Sequence, residues 1–219
     1  TDYRSDFRDI SNSLSNVRSN QYKLGVRYFS DQLDLGLSGQ YEVIDNFIYF
    51  DRFSGVNQIT RNTEVYRIGM DIRYAVKWLS VSSSVIRQIS NDIESHLPMP
   101  AWINYSSMQN HWPLFSNKLR LSYGLRSIYY TGYFARGVNP VFNILSVQNT
   151  HNFGDFLQVD AFTYINIRSV EVGIYIQNAL YGVTNDNPLI APHYVVMPRN
   201  LMLNICLLYT SPSPRDRVQ

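Results

Sequence analysis

Residues 65–77 read V-Y-R-I-G-M-D-I-R-Y-A-V-K, and the order of greasy and charged side chains in this stretch decides the fold. Tyr66, Ile68, Met70, Ile72, Tyr74 and Val76 occupy one set of alternate positions; Arg67, Gly69, Asp71, Arg73 and Lys77 occupy the other. Side chains on a strand point to opposite faces with period 2, so an extended chain here has one apolar and one charged face. The same separation returns at 118–126. There Leu119, Leu121, Tyr123 and Leu125 alternate with Lys118, Arg120, Ser122, Gly124 and Arg126. Long strands that repeat this pattern predict an all-β protein, an antiparallel transmembrane β-barrel.

Composition agrees. Charged residues make up 16% of the 219, below the roughly 25% of soluble domains. No apolar run approaches the ~18 residues of a membrane helix, so a spanning chain has to be a closed barrel with every backbone group paired. Seventeen Tyr, eleven Phe and three Trp suit aromatic girdles at two interfaces, and equally a β-rich soluble lectin. Nineteen basic and seventeen acidic residues are interspersed, which leaves no basic face for nucleic acid. The single cysteine, Cys206, excludes an internal disulfide framework and a thiolate metal site.

Outward from 65–77, alternation and turn residues predict strands at 20–29, 32–50, 63–77, 80–93, 117–130, 141–148, 155–165 and 169–180, and a last one from Arg199. The second half of 32–50 alternates poorly and reads as a bulge; Tyr3–Arg8 reads as a strand remnant. Residues 94–116, with Pro98, Pro100 and Pro113, read as irregular. Loop lengths then alternate short and long except at 131–139 and 149–154. With Ser30–Asp31 periplasmic, 51–62, 94–116, 149–154 and 181–198 fall outside the cell. Nine strands is an odd number, whereas single-chain bacterial barrels have an even one. The expectation is a partial barrel of about nine visible strands.

From 139 onward the chain resembles the C-terminal end of a porin family from the outer membranes of Bacteroidetes-type bacteria. The matching stretches are N-P-V-F-N-I-L at 139–145, D-F-L-Q-V-D-A-F-T-Y-I-N-I-R at 155–168, V-E-V-G-I-Y-I-Q-N-A-L-Y-G at 170–182 and A-P-H-Y-V-V-M-P-R-N-L-M-L-N-I at 191–205. The resemblance implies an outer-membrane barrel of unassigned solute preference, with residues 1–205 its C-terminal portion. Such proteins finish on an aromatic residue. Here C-L-L-Y-T-S-P-S-P-R-D-R at 206–217 stands instead. That string is similar to a translated sequencing-adapter remnant, so 206–219 reads as a non-native disordered tail.

The functional expectation is passive passage of small polar solutes, with no cofactor and no catalysis. Arg67, Asp71, Arg73 and Lys77 would line a wet lumen, joined by Lys118, Arg120, Arg126, Asp160 and Glu171, with Arg27 and Asp34 adding to the wall. Basic residues outnumber acidic ones on the two best strands, which favours anionic or neutral solutes. The expected partners are outer-membrane lipid, the barrel assembly machinery, the solutes and further copies of the chain. His96, His111, His151 and His193 fall in expected loops without H-x-x-x-H or H-E-x-x-H spacing, and there is no G-x-S-x-G, glycine-rich phosphate loop or C-x-x-C. Trp102 and Trp112, in an expected loop with Tyr105, Met108 and Phe115, suit a girdle or constriction better than a sugar platform. Two alternatives remain: the barrel portion of a TonB-dependent transporter, and a soluble β-sheet glycan-binding module. In the soluble module the apolar faces would turn inward.

Overall fold

The computed structural model describes residues 14–207 except 54, 92–95, 117, 140, 142, 168, 184–188 and 192–193. The expected strand at Tyr3–Arg8, His193 and the tail beyond Leu207 lie outside the described residues. Fifteen strands appear among them: β1 Arg18–Phe29, β2 Leu33–Asp45, β3 Ile48–Phe50, β4 Val56–Gln58, β5 Thr63–Ala75, β6 Leu79–Ser90, β7 Trp102–Leu114, β8 Leu119–Tyr130, β9 Gly137–Asn139, β10 Ile144–Ser146, β11 Phe156–Ile167, β12 Val170–Gln177, β13 Leu189–Ala191, β14 Tyr194–Val195 and β15 Asn200–Leu207. Nine of them form one antiparallel sheet in the order β1-β2-β5-β6-β7-β8-β11-β12-β15. Among the described residues no ladder joins β15 to β1, so this chain supplies an open wall.

The wall is a simple meander. Its short connections are 30–32, 76–78, 115–118 and 168–169; its long ones are 46–62, 91–101, 131–155 and 178–199. Short and long alternate without exception, so all four long connections lie at one end of the sheet. Strands β1, β2, β5, β6, β7, β8 and β11 are 12 or 13 residues long. Twelve residues at ~3.4 Å each and a tilt near 45° rise about 29 Å, enough for an apolar band of roughly 25 Å.

Two expectations about elements are corrected. Residues 102–114 are not irregular: they form β7, paired along its length with β6 and β8. Its dyad is hidden because Asn104, Ser106 and Asn110 interrupt the face that carries Trp102, Met108 and Trp112. Conversely 141–148 is not a wall strand. It holds only the three-residue β10, in a small sheet ordered β4-β3-β10-β9. The wall has nine strands as expected, but it includes 102–114 and excludes 141–148. The expected bulge in 32–50 is a break at Asn46, which adopts a φ of 57° between β2 and β3. Strand β15 runs through Cys206 and Leu207, paired with Glu171 and Val170, two residues past the boundary placed at 205.

The small sheet ties two of the long connections together. It joins the 46–62 connection to the 131–155 connection through a parallel pairing of Ser146 with Phe50 and a bond from Val147 N to Phe50 O of 2.8 Å. Thr63 and Val65, at the long-connection end of β5, are fully buried, and Phe153, Ala135 and Phe156 are nearly so. Thr63 and Val65 share the face that carries Arg67 and Asp71. Glycine permits close approach lower on the same face. A Cβ at Gly124 would collide with the Met108 carbonyl and the Phe162 ring, and one at Gly173 would lie 2.7 Å from the Tyr164 ring.

Candidate functional site

Directly paired residues of a sheet share a face, so the register assigns every wall side chain. On one face Asp34, Arg73, Ser82, Ser107, Arg126 and Asp160 oppose one another strand to strand across β2, β5, β6, β7, β8 and β11. The next row runs Arg27, Gly36, Asp71, Ser84, Tyr105. Farther up stand Gln40, Arg67 and Gln88. The opposite face is apolar. It carries Tyr22, Leu24, Val26 and Tyr28 of β1, Tyr66, Ile68, Met70 and Tyr74 of β5, Leu125 of β8 and Leu201, Leu203 and Ile205 of β15, all exposed. The buried wall residues Asp34, Thr63, Val65, Gln88, Ser122, Phe156 and Phe162 all belong to the charged face. Polarity is thus inverted relative to a soluble sandwich: the apolar face is exposed, and the buried side chains share the face that carries most of the ionic ones.

Seven of the nine residues expected on the wet side lie on this charged face: Arg67, Asp71, Arg73, Arg120, Arg126, Asp160 and Glu171. Lys77 and Lys118 do not lie on strands. Both are in short connections at the far end, where Val76 N bonds Leu79 O at 2.8 Å and Lys118 N bonds Phe115 O at 3.2 Å to close the turns. The seven also differ in what they are free to do. Arg67 pairs with Glu42 at 2.9 Å and donates to Gln88 at 3.2 Å. Arg27 holds Asp34 through both carboxylate oxygens. Asp160 accepts the backbone N–H of Asn178 at 2.8 Å and the Tyr175 hydroxyl, so it locks the end of β12. The Arg126 guanidinium lies 4.8 Å from the Phe162 ring centroid. A groove of about 690 Å³ remains, lined by Arg27, Asp34, Asp71, Arg73, Tyr105 and Arg126 with serines between them.

The apolar face is bounded by aromatics. Tyr22, Tyr41 and Tyr66 stack in sequence, with centroids 6.4 and 4.7 Å apart. Trp102 and Trp112 lie near the two ends of β7 on this face, both exposed. Ten residues of tilted strand separate them by about 24 Å along the membrane normal, close to the apolar band. Trp102 therefore occupies a girdle position, with Arg87 over its ring at 4.9 Å. Tyr105 lies on the opposite, charged face.

Three of the long connections, 46–62, 91–101 and 131–155, form one cluster. Arg136 donates to the His96 carbonyl at 3.3 Å and lies 5.9 Å from the Phe47 ring, and the Tyr49 and His96 rings are 4.4 Å apart. Burial lowers the Arg136 pKa from its ordinary value. Asp51 accepts the backbone N–H groups of Phe53 and Gly55 and the Asn57 amide, each at 2.9 Å. The N–H of Gly55 leads in holding its carboxyl below the usual range. His111 is not in a loop: it sits on β7 and shares a 3.0 Å hydrogen bond with Ser122. Among the described residues no group of three His, Cys, Asp or Glu could hold a metal ion.

A family described as "Putative porin" matches residues 1–206. The chain belongs to that family. No curated protein matches the sequence. Among solved structures, the FrpB iron transporter from Neisseria meningitidis (F3-3 variant) superposes with a TM-score of 0.61 at 12% identity. The apoprotein form of the F5-1 variant does so with a TM-score of 0.57 at 13% identity. Each likeness covers 88% of this chain and 31% of the transporter, so the chain spans about a third of a transporter's length. This porin-family wall has the fold of an outer-membrane transport barrel, and its place is the bacterial outer membrane.

Proposed function

We propose that this chain is a section of the wall of a wide outer-membrane transport barrel whose lumen conducts small polar solutes past the charged rows and whose mouth is narrowed by the folded-in long connections. The polarity inversion across nine strands carries the reading. Most ionic side chains lie on one face, whereas most exposed Leu, Ile, Val and aromatic side chains lie on the other. On this reading Arg67, Asp71, Arg73, Arg120, Arg126, Asp160 and Glu171 line the lumen, and the wall assembles with outer-membrane lipid and the barrel assembly machinery. The buried Thr63 and Val65 at the long-connection end of β5 favour a restricted mouth over a permanently open one. So does the likeness to an iron transporter, and the barrel portion of a TonB-dependent transporter fits better than a passive pore.

Passive diffusion is the second reading, favoured by the description of the family. Planar-bilayer recording of the full-length protein separates the two. A restricted mouth gives little resting current, and current rises when 47–60 is replaced by a short glycine-serine turn. Large, steady ohmic current from the unaltered protein supports passive diffusion instead. No current in either form, from protein shown to be inserted, overturns conduction through this wall.

A further inference from the structure

We infer that the inner face carries a binding row for an acidic sugar, a pyranose bearing a carboxylate or sulfate; this rests on the lumen reading above and deepens it. Four residues directly opposed across four adjacent strands build the row: Arg73, Ser82, Ser107 and Arg126. Strands lie ~4.8 Å apart, so the two arginine backbones are about 14 Å from each other. Long side chains can converge from both ends on a ligand one or two sugar rings wide.

The charges separate ligand-directed from structural groups. Glu42 neutralises Arg67 and Asp34 neutralises Arg27. Among the described residues no carboxylate is within 4.0 Å of the Arg73 or Arg126 guanidinium. Asp160, opposite Arg126 in register, is already committed to Asn178 and Tyr175. The groove holds three arginines (27, 73, 126) against Asp34 and Asp71, a balance of +1 that favours an anion. Guanidinium forks bind carboxylate and sulfate oxygens bidentately.

The centre of the row specifies more than charge. Ser82 and Ser107 share a 2.8 Å hydroxyl–hydroxyl hydrogen bond, which leaves one hydroxyl hydrogen to donate to a sugar hydroxyl and free lone pairs on both oxygens to accept from one. Beside them stands Tyr105, 50% exposed on the charged face, where most exposed aromatics of the wall are on the other. A flat ring with a polar tip on a wet surface can cover the C–H face of a pyranose while its hydroxyl bonds the rim. The groove volume of about 690 Å³ is within the range of small-ligand sites.

The test is calorimetric binding to the full-length protein in detergent, which does not depend on conduction. The probes are digalacturonate, the neutral disaccharide maltose, and inorganic sulfate. Digalacturonate should bind at least tenfold more tightly than either of the others. R73Q/R126Q should reduce its advantage over maltose to twofold or less, and Y105A should weaken both sugars while leaving sulfate unchanged. Retained heat-modifiable migration on gels shows that each variant folds. Equal affinity for digalacturonate and maltose, or sulfate binding as tight as digalacturonate, overturns the inference. An inserted protein that binds digalacturonate but carries no current even after 47–60 is replaced by the short turn refutes the lumen reading alone.

Discussion

Asn178 shows how much of the wall depends on one side chain. It is buried, adopts a φ of 48°, donates its amide to the Met197 carbonyl at 2.8 Å and its backbone N–H to Asp160. Alanine there loses the side-chain bond and strains the left-handed backbone. N178A should cost about 2–3 kcal/mol and N178G, which tolerates the backbone, about 1 kcal/mol, measured by urea unfolding in detergent. The sequence shows Asn178 as a turn residue, since asparagine favours such positions. It does not show that Asp160, on the charged face by alternation, is the partner, because that contact links β11 to the residue after β12. Asp51 offers a pH test outside the membrane. Its carboxyl is held low by backbone N–H groups. Its stabilisation of the β3–β4 hairpin is therefore complete above the unfolded carboxylate pKa and lost as pH falls through the lower folded value. Titration of the Asp51 carboxyl by NMR should give a midpoint below that of an exposed aspartate, whereas a midpoint at or above it would contradict the geometry.

At the scale of elements, period-2 alternation exposed those strands whose two faces differ most. Strand β5 separates Ile68 and Met70 from Arg67 and Asp71, and β8 separates Leu125 from Arg126, so both were legible. Strand β7 was not, because its outer face carries Asn104, Ser106 and Asn110, and Pro113 stands near its end. Two of these outer polar groups bond within the sheet, Ser106 with Ser83 at 3.0 Å and Asn104 with Ser83 at 3.2 Å, a pairing no single segment reveals. The short wall strand expected at 141–148 failed for the opposite reason. Only Ile144–Ser146 is extended there, and it pairs with Gly137–Asn139 and Phe50 in the loop sheet instead of with a wall strand. The two faces of β8 should respond differently to charge. L125R, at mid-strand on the apolar face, should destabilise the folded barrel in vesicles by roughly 2–4 kcal/mol. S122K, on the charged face, should cost clearly less despite its burial. Equal costs would place both side chains in the same surroundings.

For the whole molecule, the long connections matter as much as the wall. Arg136 reaches from 131–155 to Phe47 and to the His96 carbonyl, so one guanidinium ties three connections together. Losing a charged hydrogen bond and a cation–π contact costs about 2 kcal/mol. R136A should leave the wall intact but loosen the mouth, seen as faster proteolysis within 46–62 and higher single-channel conductance. Unchanged cleavage and conductance would show that the cluster does not depend on this residue. Nothing in the sequence joins 46–62 to 131–155, since the parallel pairing of β3 with β10 spans nearly a hundred residues; the loop cluster was illegible, whereas the charged face beneath it was not.

Outward-facing apolar residues are the claim on which the account depends, and site-directed spin labelling of the full-length protein in lipid vesicles tests it most directly. With Cys206 replaced by serine, single cysteines at Ile68, Met70 and Leu125 should give labels whose collisions favour oxygen dissolved in the bilayer. Labels at Asp71, Arg73 and Ser107 should collide preferentially with a water-soluble nickel complex. The reverse assignment, with 68, 70 and 125 shielded from lipid and 71, 73 and 107 immersed in it, would contradict the account.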